Sequence, residues 1–231
     1  GAGTLALALA LAQSYLGTVS GFGKGDAIDL TNLKYSPREY AIWNDGTLYI
    51  YKGARLEQTI AVSGNYAPNN FAVVGDGSGG TEVVYQQPVD KWKHSHDGTW
   101  SNGSNWSQGA APTSGTEAAI DRSGTYKVAA SGQITVKSLA IGDTGATLVG
   151  SGGLSAKSLY NAGTIRPGGE QTFTLTTNRL FNADTGVIQA KGDQTFTIDE
   201  RGDGNANFGT IAAFAGAFLT IGNPAQPHPD Q

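Results

Sequence analysis

Apolar and polar residues alternate over short stretches through most of this chain, and in its second half the alternation itself repeats. The five residues 171–175, Gln-Thr-Phe-Thr-Leu, recur as Gln-Thr-Phe-Thr-Ile at 194–198, and Ala-Phe-Leu-Thr-Ile follows at 217–221, each at an offset of 23 residues. Three columns of like residues result, namely Phe173, Phe196 and Leu219; Thr174, Thr197 and Thr220; and Leu175, Ile198 and Ile221. This alternation predicts strands with one buried face.

A second strand signature keeps the same offset. The pairs Thr164-Ile165, Val187-Ile188 and Thr210-Ile211 each follow a glycine, and an Asn or Asp stands two positions before each glycine, at Asn161, Asp184 and Asn207. A fixed period in the low twenties with two or three short strands per repeat predicts a parallel β-solenoid. We predict this solenoid over residues 135–222, with apolar columns inside, threonines outside and Asn-Gly or Asp-Gly bends. Lys-Ser-Leu at 137–139 and 157–159 recurs after 20 residues, which predicts shorter first turns.

The first half carries a separate β-rich pattern. Alternating residues predict strands at 5–11, 17–22, 40–43, 47–51, 57–62 and 81–85. The tripeptide Asn44-Asp-Gly46 between two of them is a strong hairpin signal. The sequence predicts an all-β chain in four parts: a β-rich module at 1–88, a Trp-rich capping segment at 89–134, the solenoid at 135–222 and a polar tail at 223–231.

Composition excludes several classes of protein. The net charge of −4, without any Lys/Arg cluster, argues against a nucleic-acid partner. The chain has no cysteine, which excludes a disulfide framework and fits a bacterial surface protein. No stretch of about 18 apolar residues occurs, so no membrane-spanning helix is predicted. The leucines near the start alternate at period two, which indicates a strand in a fragment of a longer chain rather than a signal peptide.

Two stretches resemble known families. "TVSGFGKGDAIDLTNL" and the strands after it, over residues 17–85, resemble a module of very large secreted or autotransported proteins of soil α-proteobacteria. Its "GFGKGDAIDL" core is also similar to the segment that closes calcium-binding β-rolls in type I secreted proteins. The glycine-aspartate nonapeptides of those β-rolls are absent here, so calcium binding does not carry over.

The second resemblance covers residues 92–155. Gly98-x-Trp100, Asn105-Trp106, Gly109 and Pro112, followed by an alternating strand, resemble the start of β-helical passengers of adhesin-like and hemagglutinin-like bacterial proteins. That resemblance implies that the tryptophans cover the open end of the solenoid. Both resemblances imply a secreted or cell-surface bacterial protein, and neither implies a reaction.

Three clusters are candidate binding or catalytic sites. Trp92, Trp100 and Trp106, with Asn102 and Asn105, are candidates for a carbohydrate platform, because sugars stack on indoles while amides hold hydroxyls; the alternative is a cap on the solenoid. His94, His96 and Asp97 could ligate zinc or copper, or form an exposed loop. Asp199, Glu200, Arg201 and Asp203 have the residue types of a polysaccharide lyase, but the 23-residue offset does not stack these acids, which favours a solvated turn.

A fourth candidate is a calcium site. Asp26 and Asp29 in "GDAIDL" could bind calcium, which is the only cofactor that the sequence suggests, or could cap a turn with neighbouring amides. The capped turn is favoured. No catalytic constellation otherwise emerges, and no other cofactor is expected.

These observations favour a structural or adhesive extracellular module of a bacterial surface protein, or a subunit of an extracellular fibre, with no enzymatic activity. The alternative is a carbohydrate-active β-helix enzyme, a lyase or hydrolase with paired carboxylates, or a non-catalytic carbohydrate-binding module. Expected partners are further copies or neighbouring modules, and surface polysaccharide if the tryptophans bind sugar. The apolar last turn (Phe208, Phe214, Phe218, Leu219, Ile221) predicts end-to-end contact, with the strand at 5–11 as a candidate donor.

Overall fold

The computed structural model describes residues 2–8, 14–86, 89–169, 172–202 and 205–222. Strands dominate, and the chain divides into two compact units, Gly1–Val89 and Asp90–Gln231. The predicted polar tail at 223–231 lies outside the described residues. The all-β class and the solenoid are both confirmed.

The first unit consists of two four-stranded sheets. One sheet has the order β1-β3-β8-β7 and the other has the order β2-β6-β5-β4. The strands are β1 Thr4–Leu7, β2 Ser14–Ser20, β3 Ala27–Lys34, β4 Glu39–Asn44, β5 Thr47–Lys52, β6 Arg55–Ser63, β7 Phe71–Gly75 and β8 Gly80–Tyr85. Each sheet contains one parallel pair, β1 with β3 and β2 with β6, and is otherwise antiparallel.

One hydrophobic core joins the two sheets of this unit. Fully buried residues from both sheets contribute to it, among them Ile28, Leu48, Ile50, Ile60, Val62 and Val83. The predicted hairpin at Asn44-Asp-Gly46 is present between β4 and β5. Asp45 and Gly46 both have positive φ, 43° and 79°, as a type I′ turn requires.

Two strands of this unit lie outside the predicted set, and one predicted strand differs. The "GDAIDL" segment forms the first part of β3, where Ile28 and Leu30 point into the core, and Phe71 begins β7. Two consecutive exposed residues, Thr31 and Asn32, interrupt the alternation of β3, which explains why alternation does not predict this strand. Of the predicted strand at 5–11, the structure has β1 as far as Leu7, and residues 9–13 lie outside the described residues.

The second unit is the parallel β-solenoid, in which each turn of the chain lays its strands beside those of the turn before. Its strands are β9 Val89–Lys91, β10 Gly98–Thr99, β11 Glu117–Ile120, β12 Tyr126–Ile141, β13 Ala146–Asn161, β14 Thr164–Pro167, β15 Thr172–Thr177, β16 Leu180–Asn182, β17 Val187–Ala190, β18 Thr195–Glu200, β19 Ala206–Asn207, β20 Thr210–Ala213 and β21 Phe218–Ile221. The long strands β12 and β13 run through three faces of the solenoid, and in later turns separate short strands take their place.

The predicted register of the solenoid is confirmed. Phe173 pairs with Phe196 and Phe196 with Leu219, while Ile165, Ile188 and Ile211 form the parallel column on the neighbouring face. The rings of Phe173 and Phe196 stack inside with centroids 5.3 Å apart. The shorter first turns are present too, since β12 pairs with β13 at an offset of 20, as in Leu139 with Leu159.

The predicted polar column at the bend is wrong in its middle member. Asn161 and Asn207 do stack, but Asn182 lies between them rather than Asp184. Asn161 Nδ2 donates to Asn182 Oδ1 over 2.7 Å, and Asn182 Nδ2 donates to Asn207 Oδ1 over 2.8 Å. The bend after Asn182 is two residues longer than the bends after the other two, so the constant offset points to the wrong side chain. The glycine that follows is correctly placed, because a Cβ on Gly186 would collide with the backbone oxygen of Asn161.

The solenoid begins earlier than its predicted start at residue 135. β10 pairs with β12 at Gly98 with Val128, and β11 pairs with the end of β12 at Glu117 with Ser138. The Trp-rich segment predicted as a separate part at 89–134 is therefore built into the first turns of the solenoid.

Candidate functional site

The tryptophans of the second unit fill the N-terminal end of the solenoid core. Trp92, Trp100 and Trp106 are 2%, 3% and 0% exposed and belong to the same hydrophobic cluster as the aliphatic columns. The rings of Trp100 and Trp106 approach to 4.7 Å between centroids, and Trp106 Nε1 donates to the Trp100 carbonyl oxygen over 2.8 Å. A Cβ at Gly98 would touch the Trp92 ring, so the backbone packs directly on the indole.

This burial removes the predicted carbohydrate platform. Sugar stacking requires an open indole face, and all three indoles are covered by the core. Asn105 is also buried, and its Nδ2 donates to the Thr99 carbonyl oxygen over 3.0 Å, while Asn102 caps the short 3₁₀ helix Gly103–Asn105. The cluster therefore acts as a cap on the core, and the physical reason is that three indoles bury more apolar surface there than any sugar contact would.

The opposite end of the solenoid is open. Phe218 is 72% exposed, Phe208 54%, Ile221 50% and Phe214 49%. One turn earlier, Ile198, which pairs with Ile221, is fully buried. The same column is thus covered where another turn follows and uncovered at the last described turn. Leu219 differs from the other members of the predicted apolar turn, because it is half-buried and packs on the core.

Two side-chain ladders also end at this edge. Asn207 is the last member of the amide ladder described above. On the outer side of the same bend the rings of Tyr160 and Phe181 stack with centroids 5.6 Å apart, and Phe181 and Phe208 approach to 5.3 Å. The strands β20 and β21 pair only with β17 and β18 among the described residues, so their outer edges carry unpaired backbone groups. We call the residues 205–222 the C-terminal edge.

The C-terminal edge contributes no charged side chain of its own. Residues 205–222 contain no Asp, Glu, Lys, Arg or His. Natural edge strands are commonly protected against pairing by charged side chains, lysine above all. Here the edge strands lack that protection at the place where the apolar residues are exposed, which makes the edge the strongest candidate interaction site in the described structure.

The strand at 5–11, which is the candidate donor to such an edge, is not free. β1 already pairs in parallel with β3, with Leu5 opposite Ile28 and Leu7 opposite Leu30. Leu7 is buried in the core of the first unit. Donating this strand would therefore require that unit to open, and the donor prediction is wrong for the residues that the structure describes.

The two candidate calcium ligands have different surroundings. Both carboxylate oxygens of Asp26 accept backbone amides, Oδ1 from Gly3 and Oδ2 from Gly23, each over 2.9 Å. Asp26 therefore caps a turn and ties β1 to the segment before β3. Asp29 lies in β3 opposite Glu82 and is half-buried, with Oδ1 unbonded. Across the described residues, no group of three or more His, Cys, Asp or Glu side chains is placed to hold a metal ion.

The two histidines come together but face each other. His94 and His96 stack with ring centroids 4.6 Å apart and planes 15° apart. A metal lies in the plane of each imidazole that binds it, so two nearly parallel stacked rings do not share one ion in this arrangement. Asp97 is also engaged, because its Oδ1 accepts the Lys127 backbone amide over 2.8 Å.

The acidic group on β18 is held by its own arginine. Arg201 Nε and Nη2 approach Asp199 Oδ2 to 2.8 and 2.7 Å, and Asp199 is 4% exposed. Asp199 pairs with Thr176 and Glu200 with Thr177, so the acids of successive turns do not stack, as the offset predicts. Burial raises the pKa of Glu200, and a hydrogen bond from Asn205 opposes this rise. Asp203 lies outside the described residues.

No helix in the described part of the chain is long and apolar enough to cross a membrane. Comparisons of the chain with protein-family models, with curated proteins and with solved structures find no match.

Proposed function

We propose that this chain is a structural and adhesive extracellular module of a bacterial surface protein, and that it works through contact between solenoid ends. The observation that carries the proposal is the C-terminal edge, an uncharged and apolar last turn with unpaired strand edges. An edge of this kind recruits another β-strand, because the pairing satisfies backbone groups and removes apolar surface from water together. The extracellular location is part of the proposal and is supported by the cysteine-free, Gly-rich sequence.

Enzymatic activity has weaker support. The lyase-like acids are separated by the register, and the most buried of them, Asp199, is paired with Arg201. The sugar-binding alternative loses its aromatic platform because the indoles are buried. Assembly through the C-terminal edge is therefore the function that the geometry supports best.

The proposal is tested by sedimentation velocity over a wide range of protein concentration. We expect the average mass to rise with concentration, and we expect Phe218→Lys to reduce this association strongly by placing a charge on the edge. Phe218 is 72% exposed, so the variant should fold normally. Leu16→Lys is the matched control, since Leu16 is a fully exposed leucine on β2 of the first unit. A chain that remains monomeric at millimolar concentration would overturn the proposal.

A further inference from the structure

The two ends of the solenoid are chemically different. At the N-terminal end β9 pairs beside β11, and three buried indoles close the core. Within residues 89–120, all of which the structure describes, no large hydrophobic side chain is exposed, whereas the C-terminal edge exposes four. A contact that buries apolar surface on both partners therefore has only the C-terminal edge to use.

We propose that the partner of the C-terminal edge is the same edge of a second copy of this chain, related by a two-fold axis, so that assembly closes at a dimer. This inference rests on the proposed function and makes it specific. An isologous contact uses one patch twice and leaves no further patch open, whereas a head-to-tail contact would propagate into a fibre. The closed N-terminal end argues against the fibre.

Charge favours this self-contact. A two-fold contact brings each charged residue near its own counterpart, so a charged edge would repel itself. Residues 205–222 carry no ionisable side chain and escape this penalty. The nine residues that follow in this sequence, Asn-Pro-Ala-Gln-Pro-His-Pro-Asp-Gln, include no large apolar side chain to compete for the exposed phenylalanines.

Strand geometry restricts how the two edges can meet. A two-fold axis normal to the β21 face pairs β21 antiparallel with its counterpart. Residues directly opposite each other in an antiparallel pair lie on the same side of the sheet. Leu219 packs on the core and Thr220 points outward, so the axis passes through Leu219 or Thr220 and not between them. Either register brings the two copies of Thr220 within about 8 Å of each other.

The cysteine-free sequence provides the test. Thr220→Cys introduces a single thiol at the edge, and Thr174→Cys places a thiol in the same outward column two turns earlier. At a strand spacing of about 4.8 Å, two copies of residue 174 would lie roughly 24 Å apart in the proposed dimer. With a short bismaleimide, we expect the full chain to crosslink to a dimer through Thr220→Cys several-fold faster than through Thr174→Cys. Sedimentation velocity of the unmodified chain should show mass growth that stops at the dimer.

The other outcomes are distinguishable. A chain that stays monomeric overturns both the proposed function and this inference. Mass that grows beyond the dimer, without preferential crosslinking at residue 220, supports assembly through the edge but overturns the two-fold closure. A dimer that crosslinks equally well at residues 174 and 220 indicates contact through the side of the solenoid and also overturns the inference.

Discussion

Neighbouring residues of one solenoid strand have opposite surroundings. Ile198 is fully buried between Leu175 and Ile221 of the adjoining turns, while Thr197 lies on the outer side of the same strand. We expect Ile198→Ala to lower the free energy of unfolding by about 2–5 kcal/mol, because it removes contacts with both turns. Thr197→Ala should cost less than about 1 kcal/mol. Chemical denaturation of the two variants measures the contrast, and equal losses would contradict the inward assignment of Ile198.

A buried carboxylate in the first unit makes stability depend on pH. Glu57 is 3% exposed, and its pKa is raised by burial and then by the nearby Glu39 carboxylate, against the opposing effect of Lys52 and Arg55. A raised folded-state pKa means that the folded state binds the proton more tightly than the unfolded chain. The stabilising contribution of the protonated form is therefore full below the unfolded pKa of 4.5 and is lost as pH rises through the folded pKa.

Glu57→Gln removes this ionisation. We expect the variant to be more stable than the parent protein near pH 7, and we expect the difference to shrink as pH falls toward about 4.5. Thermal unfolding over a series of pH values measures it. A difference that stays constant with pH would show that the variant acts through packing instead of charge.

Asp26 supports a different experiment. Its carboxylate already accepts two backbone amides, so little negative charge is left to attract a cation. We expect a chelator to change the melting temperature by no more than a few degrees, whereas Asp26→Ala should lower it by removing both hydrogen bonds. A fall of tens of degrees on chelation would reveal a structural calcium site.

At the scale of the element, the bend after each third-face strand depends on the amide ladder. Asn182 is fully buried and donates to Asn207 while accepting from Asn161. We expect Asn182→Ala to cost about 1–3 kcal/mol, because it leaves buried amide groups on its neighbours without partners. Asn178→Ala is the control, since the Asn178 side chain is exposed four residues earlier, and it should cost less than about 0.5 kcal/mol. Equal effects in urea denaturation would mean that the ladder contributes nothing measurable.

At the scale of the whole molecule, stability should vary along the solenoid. Each turn contacts its neighbours, and the last described turn has a neighbour on one side only. We expect backbone amides of Phe218–Ile221 to exchange with solvent faster than those of Thr195–Glu200 in dilute solution. Raising the protein concentration should slow exchange at the edge alone, and hydrogen exchange followed by mass spectrometry measures both effects. Uniform protection along the solenoid would contradict the open end.

The sequence by itself determined the periodic part of this protein. A parallel solenoid stacks equivalent positions, so its register is written as like residues at a constant offset, and Phe173 aligns with Phe196 on the repeat alone. The turn at Asp45-Gly46 is equally local, because positive φ at two consecutive residues limits the residue types. The exposed last turn is predictable too, since Phe214 and Phe218 stand in a segment without charge.

Only the tertiary structure decided which side chains are covered and which of two nearby residues stacks. Three tryptophans beside asparagines have the same composition whether they bind sugar or close a core, and burial distinguishes the two. The choice of Asn182 over Asp184 depended on a longer bend in one turn, which shifts the pairing by 21 and then 25 residues while the sum over two turns is preserved. Strand β3 does not show in the alternation because its inward residues are set by the opposite sheet. Periodicity is a property of the chain, whereas burial depends on what the rest of the molecule places against it.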